Sequence, residues 1–273
     1  MISKIYSCKS HQCNIMANQF LLNIQSEFLK CRHTAALWLT LIAAAFLPAI
    51  NCLILIERPI FFLAKFQQQP WISFLHMNWK NGASVILPLF VILINNAIAQ
   101  VEYKNNTWKQ VYASPRKYAD IFFSKFIVVQ VFLLVFFLLF SLLIILSGYT
   151  ASLLQNGYPF SSHAVPFHLI FILITRLYVA ILGVSAIQYW LGIRFRNFIV
   201  PLGIGIGLWV TGLVLMDWEN IVYYPYMYST LIFFIDAPKH LGTLPLLLTN
   251  SIVCFLVAIS LGFWNIYSLK ERG

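Results

Sequence analysis

The residues best suited to metal chemistry are Cys8, His11 and Cys13, near the start of the chain. Three nitrogen and sulfur ligands at this spacing match no standard zinc pattern, which needs four ligands in a structural site. The chain has 5 cysteines in all, scattered without paired spacing, so no disulfide framework is indicated. We therefore expect neither a metal site nor a bound cofactor.

Hydrolytic chemistry inside a membrane needs convergent carboxylates, histidines or a nucleophile with its base. His163 and His168 lie close together in the sequence but have no carboxylate beside them. The Glu-Glu and His-Glu-x-x-His signatures of membrane proteases are absent from the sequence. A membrane-embedded enzyme remains an alternative with no motif to support it.

Four glycines, Gly203, Gly205, Gly207 and Gly212, superficially resemble a nucleotide-binding fingerprint. They lie inside an apolar run rather than between a strand and a helix, and Gly203 and Gly207 have the G-x-x-x-G spacing that lets membrane helices approach closely. The sequence G-x-x-x-x-G-K-[ST], which cradles phosphates in ATPases, does not occur. We predict that the chain is not an enzyme and cannot hydrolyse ATP by itself.

Arg176 is the one basic residue deep inside an apolar run. A charge at that depth is unfavourable by at least about 2.5 kcal/mol on insertion scales, so it should face protein or water. Arg176 either contacts an anionic, lipid-like substrate along a transport path, or pairs within the bundle or extends to the interface. Glu57 and Asp217 are the candidate partners for pairing.

The elements that position these residues are predicted to be membrane helices, because 60% of the 273 residues are hydrophobic and only 10% are charged. Each span of a hydrocarbon core needs about 20 apolar residues. Six apolar runs meet this need: Thr34 to Ile56, Ala83 to Ala99, Phe126 to Gly148, Phe167 to Trp190, Phe198 to Met216 and Pro245 to Tyr267. We predict an all-α integral membrane protein with one six-helix domain, residues 34–273, after an N-terminal segment, residues 1–33.

Within that N-terminal segment an amphipathic helix is expected at the membrane surface. Its apolar residues are Phe20, Leu21, Ile24, Phe28 and Leu29, while Gln25, Glu27 and Lys30 lie on other faces. The alternative is a simple extension of the first span. We also expect translation to start at Met16, because residues 1–15 add no periodic structure.

Orientation follows from the basic residues, which are retained on the cytoplasmic side. One set of alternate connections carries thirteen of the 18 Lys and Arg residues: Lys4, Lys9, Lys30, Arg32, Lys104, Lys109, Arg116, Lys117, Lys125, Arg194, Arg196, Lys270 and Arg272. This set includes both termini, so both are predicted to be cytoplasmic in a multi-pass protein of the cell membrane. Anionic inner-leaflet lipid then accounts for the net charge of +10, and no nucleic-acid partner is expected.

The most informative connection runs from Glu102 to Lys125 between spans two and three. Ser114 and Pro115 indicate a helix N-cap followed by proline at the first helical position. The preceding residues 107–112 are predicted to form a short helix that offers Trp108 and Tyr112 to a partner. The alternative is an ordinary interfacial loop with one aromatic anchor.

Taken together, these segments resemble the permease subunits of type-2 ATP-binding-cassette (ABC) transporters. The residues that carry the resemblance are Glu102 at the end of span two, Thr107-Trp108-Lys109, Ser114-Pro115-Arg116-Lys117, Lys125, and Ser26-Glu27-Phe28-Leu29-Lys30 before span one. The resemblance implies a separate ATPase that sits on a surface formed by Glu27, Lys30, Glu102, Trp108, Pro115 and Arg116. It also implies that the apolar stretch from Ile221 to Ile235 is a re-entrant piece, although an aromatic loop fits its composition equally well.

The expected function is therefore a permease subunit that exports an amphipathic peptide, antibiotic or lipid with energy from a separate ATPase. Small permeases that give immunity to lantibiotic or bacitracin-like peptides have this build. The expected partners are an ABC ATPase, a second copy of the chain or a related permease, and membrane lipid. The main alternative is a membrane protein that assembles or regulates another complex.

Overall fold

The computed structural model describes residues 19–32, 34–104, 118–155, 157–234 and 242–270, and they form helices joined by short turns. The helices are α1 (19–31), α2 (Ala35–Glu57), α3 (Pro59–Phe66), α4 (Pro70–Asn81), α5 (Leu87–Ala99), α6 (Val101–Lys104), α7 (Tyr118–Leu154), α8 (Phe167–Arg194), α9 (Ile199–Val214), α10 (Tyr228–Leu231) and α11 (Leu244–Lys270). The predicted metal-ligand triplet Cys8, His11 and Cys13 lies outside the described residues.

Five of these helical runs are long and apolar enough to cross a membrane. They are Ala35–Glu57, Pro70–Ala99, Ala119–Leu154, Phe167–Arg194 and Leu244–Asn265. The sixth apolar helix, α9, has 16 residues, which at about 1.5 Å per residue is shorter than a hydrocarbon core of about 30 Å. The all-helical membrane class is confirmed, with five long apolar helices and one shorter one.

The predicted start of span two at Ala83 is wrong. The helical run begins at Pro70 and continues through a π-helical turn, Gly82–Ile86, into α5. Polar residues in α4 led to the error, but they are satisfied where they lie. Asn78 accepts a hydrogen bond from the Asn51 amide at 2.8 Å, and the Lys80 ammonium lies 4.7 Å from the centre of the Phe234 ring.

The π turn leads directly into α5, the central helix of the bundle. Helix α5 packs against α2, α7, α8 and α9. In the membrane span Pro70–Ala99, to which α5 belongs, 67% of the most apolar 18-residue stretch is buried inside the protein. Around it, α2 lies along α7, and α8 lies along α11. Because every other apolar helix except α11 touches α5 extensively, a polar side chain on α5 meets protein rather than lipid.

The segment after α9 does not form a further span. It folds into two 3-10 turns, Ile221–Tyr223 and Pro225–Met227, followed by α10. Its residues Tyr226, Met227, Tyr228 and Leu231 are buried, and it packs against α8, α9 and α11. At Gly212 of α9 an added Cβ atom would lie 2.7 Å from Met227 Cγ, so glycine permits this close approach. The re-entrant character of this buried segment stays a prediction.

An aromatic cluster closes the bundle at the end farthest from α1. Trp71 is 2% exposed, packs on Phe160 and Tyr149 at ring distances of 5.0 and 5.1 Å, and donates to the Phe160 and His163 carbonyl oxygens. An added Cβ atom at Gly148 of α7 would lie 2.8 Å from Trp71 Cζ3. The cluster thus fixes α4 and the turn before α8 against the end of α7.

We predict that Gly148→Leu destabilises the protein by about 1–3 kcal/mol, because the new side chain must displace the packed indole of Trp71. Thermal unfolding of the purified chain in detergent measures this as a lower Tm. Leu146→Phe is the matched control, since Leu146 lies on the same helix and is 50% exposed. An unchanged Tm for Gly148→Leu would contradict the packing described here.

Candidate functional site

Helix α1 has an inverted amphipathic arrangement. Its polar residues Asn23 and Glu27 are 8% and 5% exposed, whereas Leu22 and Leu29 are 61% and 60% exposed. The polar face therefore packs on the bundle, and the apolar face is left for the membrane interface. The amphipathic helix itself was predicted, but Glu27 was expected to face a partner rather than the bundle.

The buried Glu27 carboxylate is held by two lysines. Its Oε1 atom lies 2.6 Å from Lys30 Nζ, and its Oε2 atom lies 2.7 Å from Lys125 Nζ. The Lys125 side chain is only 3% exposed, whereas that of Lys30 is 35% exposed. Removing one partner of such a buried pair typically destabilises by about 3–5 kcal/mol, because the other charge is left uncompensated.

This ion pair joins α1 to the beginning of α7. Lys125 lies in the second turn of α7 and is the last residue of the connection that was predicted to meet an ATPase. Phe28 adds an aromatic contact to the same helix, with its ring centre 6.0 Å from that of Phe132. Helix α1 and the first half of α7 are therefore held together by both charge and stacking.

The structure brings together only part of the predicted ATPase surface. Glu27 and Lys30 are paired, and Glu102 lies in the short helix α6, although its side chain is outside the described part of the chain. Trp108, Pro115 and Arg116 also lie outside the described residues. The contact of these six residues with a partner stays a prediction.

The same end of the bundle contains a group of hydrogen bonds to the end of α8 that sequence reasoning missed. Gln100 donates to the Gly192 and Phe195 carbonyl oxygens at 3.3 and 2.7 Å, and Tyr103 donates to the Ile193 carbonyl oxygen at 2.6 Å. The last carbonyl groups of a helix lack intrahelical partners, so these side chains cap the end of α8. Their position directly after an apolar span was the only sequence signal for this role.

Burial raises the pKa of the Tyr103 phenol above its ordinary value, while the nearby guanidinium groups of Arg196 and then Arg194 act in the opposite direction. The phenol therefore stays protonated at neutral pH and remains a hydrogen-bond donor. Both arginines lie close enough to Tyr103 to influence its pKa, so two cations lie beside these hydrogen bonds.

Deeper in the bundle, a chain of polar side chains crosses from α8 to α5. Tyr178 donates to Gln130 at 3.1 Å, Gln130 donates to Ser185 at 3.1 Å, and the Asn95 amide donates to Ser185 at 3.3 Å. Interhelical hydrogen bonds of this kind contribute on average about 0.6 kcal/mol each in membranes. The chain fixes α5, α7 and α8 relative to each other at membrane depth.

A second polar link ties the segment of residues 221–231 to α8. Gln188 donates to the Tyr226 hydroxyl at 2.7 Å, and both residues are buried. Gly205 of α9 lies directly against the Gln188 amide, so a side chain at this position would have no space. Within the described structure the Oε1 atom of Gln188 has no hydrogen-bond partner, and neither does Asn96 Oδ1. Buried acceptors without partners are unfavourable.

Arg176 is exposed on α8 and forms no ion pair with a described residue. The pairing with Glu57 or Asp217 considered from the sequence is therefore not observed. It lies beside Thr175 and near Phe171, which is 71% exposed, on the half of α8 that is farther from α1. The side chain faces away from the bundle, toward lipid, water or a second protein.

The G-x-x-x-G face of α9 is open. An added Cβ atom at Gly203 or at Gly207 would meet no heavy atom within 4 Å, and Val210 and Val214, on the same face, are 45% and 80% exposed. These two glycines therefore do not pack helices within the chain. Gly205 and Gly212, on other faces of α9, perform that role instead.

No group of three or more metal-ligating side chains occurs in the part of the chain that the structure describes. The contact between α1 and α7 lies at one end of the bundle. Helices α7 and α8 continue from there to the polar core and to the segment of residues 221–231.

The comparison with known protein families agrees with this layout. The family described as ABC-2 family transporter protein matches residues 23–212, which include most of α1, all the polar contacts between α5, α7 and α8, and most of α9. No curated protein and no solved structure matches the chain. Since the match covers well over half of the sequence, the chain belongs to the ABC-2 transporter family and is a membrane component of such a transporter.

Proposed function

We propose that this chain is a permease subunit that exports an amphipathic peptide, antibiotic or lipid while a separate ABC ATPase supplies the energy. The observation that supports this most directly is the buried Glu27–Lys125 pair, which links the amphipathic helix to α7 inside a region that matches the family. Both termini are proposed to be cytoplasmic, which the distribution of basic residues favours. The ATPase then binds at the α1 end of the bundle.

The proposed coupling is mechanical. A partner that binds differently in its ATP and ADP states can shift a permease equilibrium only through contacts that differ between those states. Residues 105–117 directly precede α7, so a force on Trp108 or Arg116 acts on the same helix that Glu27 binds. Helices α1 and α7 then move as one lever against the polar layer of α5 and α8.

Removing the proposed docking contacts should release the ATPase. We predict that Trp108→Ala with Arg116→Glu lowers ATPase recovery at least about tenfold in a mild-detergent pull-down, as expected for loss of 1.4 kcal/mol or more of binding free energy. Trp218→Ala with Arg58→Glu is the matched control, because both residues lie at the opposite end of the bundle.

Equal recovery of the ATPase with both double variants would contradict the assigned docking surface. Recovery of the wild-type chain without any ATPase would instead favour the alternative function, a membrane protein that assembles or regulates another complex. A membrane enzyme would retain activity without an ATPase and would lose it on mutation of polar residues within the spans.

The proposed joint movement of α1 and α7 should depend on the buried ion pair between Glu27 and Lys125. We predict that Glu27→Gln and Lys125→Met each destabilise the chain, because each removes one side of the buried ion pair. The double variant should lose less stability than the sum of the two, with a coupling energy of about 0.5–3 kcal/mol. The free energies of unfolding of the wild-type chain, the two single variants and the double variant, measured in detergent, give this coupling energy.

Additive losses in this cycle would show that the pair does not hold α1 to α7. Lys30→Gln provides an internal comparison, since its side chain is 35% exposed and its pairing with Glu27 is partly screened by water. Its effect should be clearly smaller than that of Lys125→Met.

A second copy of the chain, or a related permease, is proposed to pack on the open face of α9. Two α9 helices with G-x-x-x-G spacing can approach closely there, and α9 is otherwise a short helix with one face left uncovered. Arg176 on α8 is proposed to line the substrate path, where its charge would meet an anionic group of the cargo.

In a cysteine-free background, Gly207→Cys should form a disulfide-linked dimer in native membranes, because the two copies meet along this face. Leu153→Cys is the control, since Leu153 is 82% exposed on a different helix and should remain monomeric under the same oxidant. Gel mobility without reductant measures both. Equal dimer formation by the two variants, or none by Gly207→Cys, would rule out this interface.

A further inference from the structure

A pocket of about 380 Å³ lies between α8, α11 and the segment of residues 221–231. Ligand pockets have volumes of about 300–1,000 Å³, so this one is large enough to hold a small molecule. Val253, Val257 and Leu261 of α11 line it and are exposed. Because α11 is long and apolar enough to cross the membrane, the pocket opens toward lipid. It shares no lining residue with the contacts proposed for the ATPase, the cargo and the second copy.

Uncharged polar groups meet in this pocket. Tyr228 is only 2% exposed, yet its hydroxyl has no hydrogen-bond partner in the described structure. The hydroxyl lies close enough to the Cys254 thiol, which lines the same pocket, for the two groups to interact electrostatically. Asn250 precedes Cys254 by one turn of α11, so both side chains lie on the same face of that helix. The Tyr228 hydroxyl therefore points toward the polar end of the pocket.

The Asn250 amide is only partly satisfied. It donates to the Val222 carbonyl oxygen at 3.4 Å, which is a long hydrogen bond, and its Oδ1 atom accepts none from a described residue. Polar groups without partners are unfavourable inside a membrane. Tyr228 and Asn250 therefore offer a donor and an acceptor to a ligand in the pocket.

None of the described residues that line the pocket is charged. Cys254 lies near the middle of the span Leu244–Asn265, at the depth where a charged group is most unfavourable. A phosphate headgroup at this depth would lose its hydration and find no cation among the lining residues. The polar group of the ligand is therefore uncharged, such as a hydroxyl or an ester.

The rest of the lining is largely apolar and elongated. Its residues on α11 extend from Asn250 to Leu261, which is about 16 Å at about 1.5 Å per residue. Ile187 and Trp190 of α8 line the same space. An extended acyl chain fits such a pocket, whereas a compact polar solute leaves its apolar walls uncovered.

We infer that this pocket binds an uncharged acylglycerol from the surrounding bilayer, with its acyl chain lying along α11. Tyr228 donates to an ester carbonyl oxygen, and the Oδ1 atom of Asn250 accepts from a free hydroxyl of the glycerol. Bound lipid joins α8 and α11 to the segment of residues 221–231. Neither the ATPase nor the cargo is needed for this binding.

Native mass spectrometry of the detergent-purified full-length chain with added dioleoylglycerol tests this site. Dioleoylglycerol should bind more tightly than a phosphatidylglycerol with the same two acyl chains. Tyr228→Phe should weaken its binding about fivefold, as expected for the loss of one hydrogen bond. The Tm of this variant should be unchanged, because the hydroxyl has no hydrogen-bond partner within the described structure. Val257→Trp should weaken binding at least about tenfold, because the indole occupies the space of the acyl chain.

Leu256→Trp is the matched control for Val257→Trp, since Leu256 is similarly exposed on α11 but does not line the pocket. Tyr149→Phe is the control for Tyr228→Phe, because it removes a hydroxyl outside the pocket. Both controls should bind dioleoylglycerol as the wild-type chain does.

Equal losses for Val257→Trp and Leu256→Trp would overturn the inference, and so would an unchanged affinity of Tyr228→Phe. Binding of phosphatidylglycerol that is equal or tighter would show that the pocket does not select against charge, and would overturn it too. Failure of the wild-type chain to bind dioleoylglycerol, as expected if a second copy covers the pocket, would have the same consequence.

Discussion

The Glu27 carboxylate is the constraint on which the arrangement of this end of the protein depends. A single anion buried between two lysines fixes the rotation of α1, because Glu27 can reach Lys125 only when the polar face of α1 meets α7. Leu22 and Leu29 are then exposed, which holds α1 at the membrane interface. The direction in which α1 presents its surface to a partner is thus set by an internal ion pair.

From this joint the contacts continue into the bundle along α7. The same helix contributes Gln130 to the polar chain with Tyr178 and Ser185, and its far end packs Gly148 on Trp71. Interiors of this density do not deform continuously, so a displacement at one end of α7 favours a change between discrete arrangements.

The sequence predicted the membrane class and the approximate position of each apolar helix, because the hydropathy of a segment indicates whether lipid or water surrounds it. It placed the start of span two wrongly, since Asn78 and Lys80 looked like residues of a connection. Their partners, Asn51 and Phe234, are 27 residues or more away in the chain and cannot be read from local pattern.

The candidate site was predictable to the same limited degree. The residue types in α1 indicated an amphipathic helix, but spacing does not determine which face meets protein, and the burial of Glu27 emerged only from its pairing with Lys125. Likewise, the G-x-x-x-G spacing singled out Gly203 and Gly207, whereas the glycines of α9 that pack within the chain are Gly205 and Gly212. The only sequence signal for the capping of α8 by Gln100 and Tyr103 was their position directly after an apolar span.

The most direct test of the account is a pair of distance measurements by pulsed electron paramagnetic resonance on the permease bound to its ATPase. Spin labels at Leu22→Cys on α1, Leu134→Cys on α7 and Leu256→Cys on α11 all occupy exposed positions in a cysteine-free background. The account predicts that ATP changes the distance from residue 22 to residue 256 while the distance from residue 22 to residue 134 stays constant. A change in the distance from 22 to 134 would show that α1 and α7 are not one lever and would contradict the central claim.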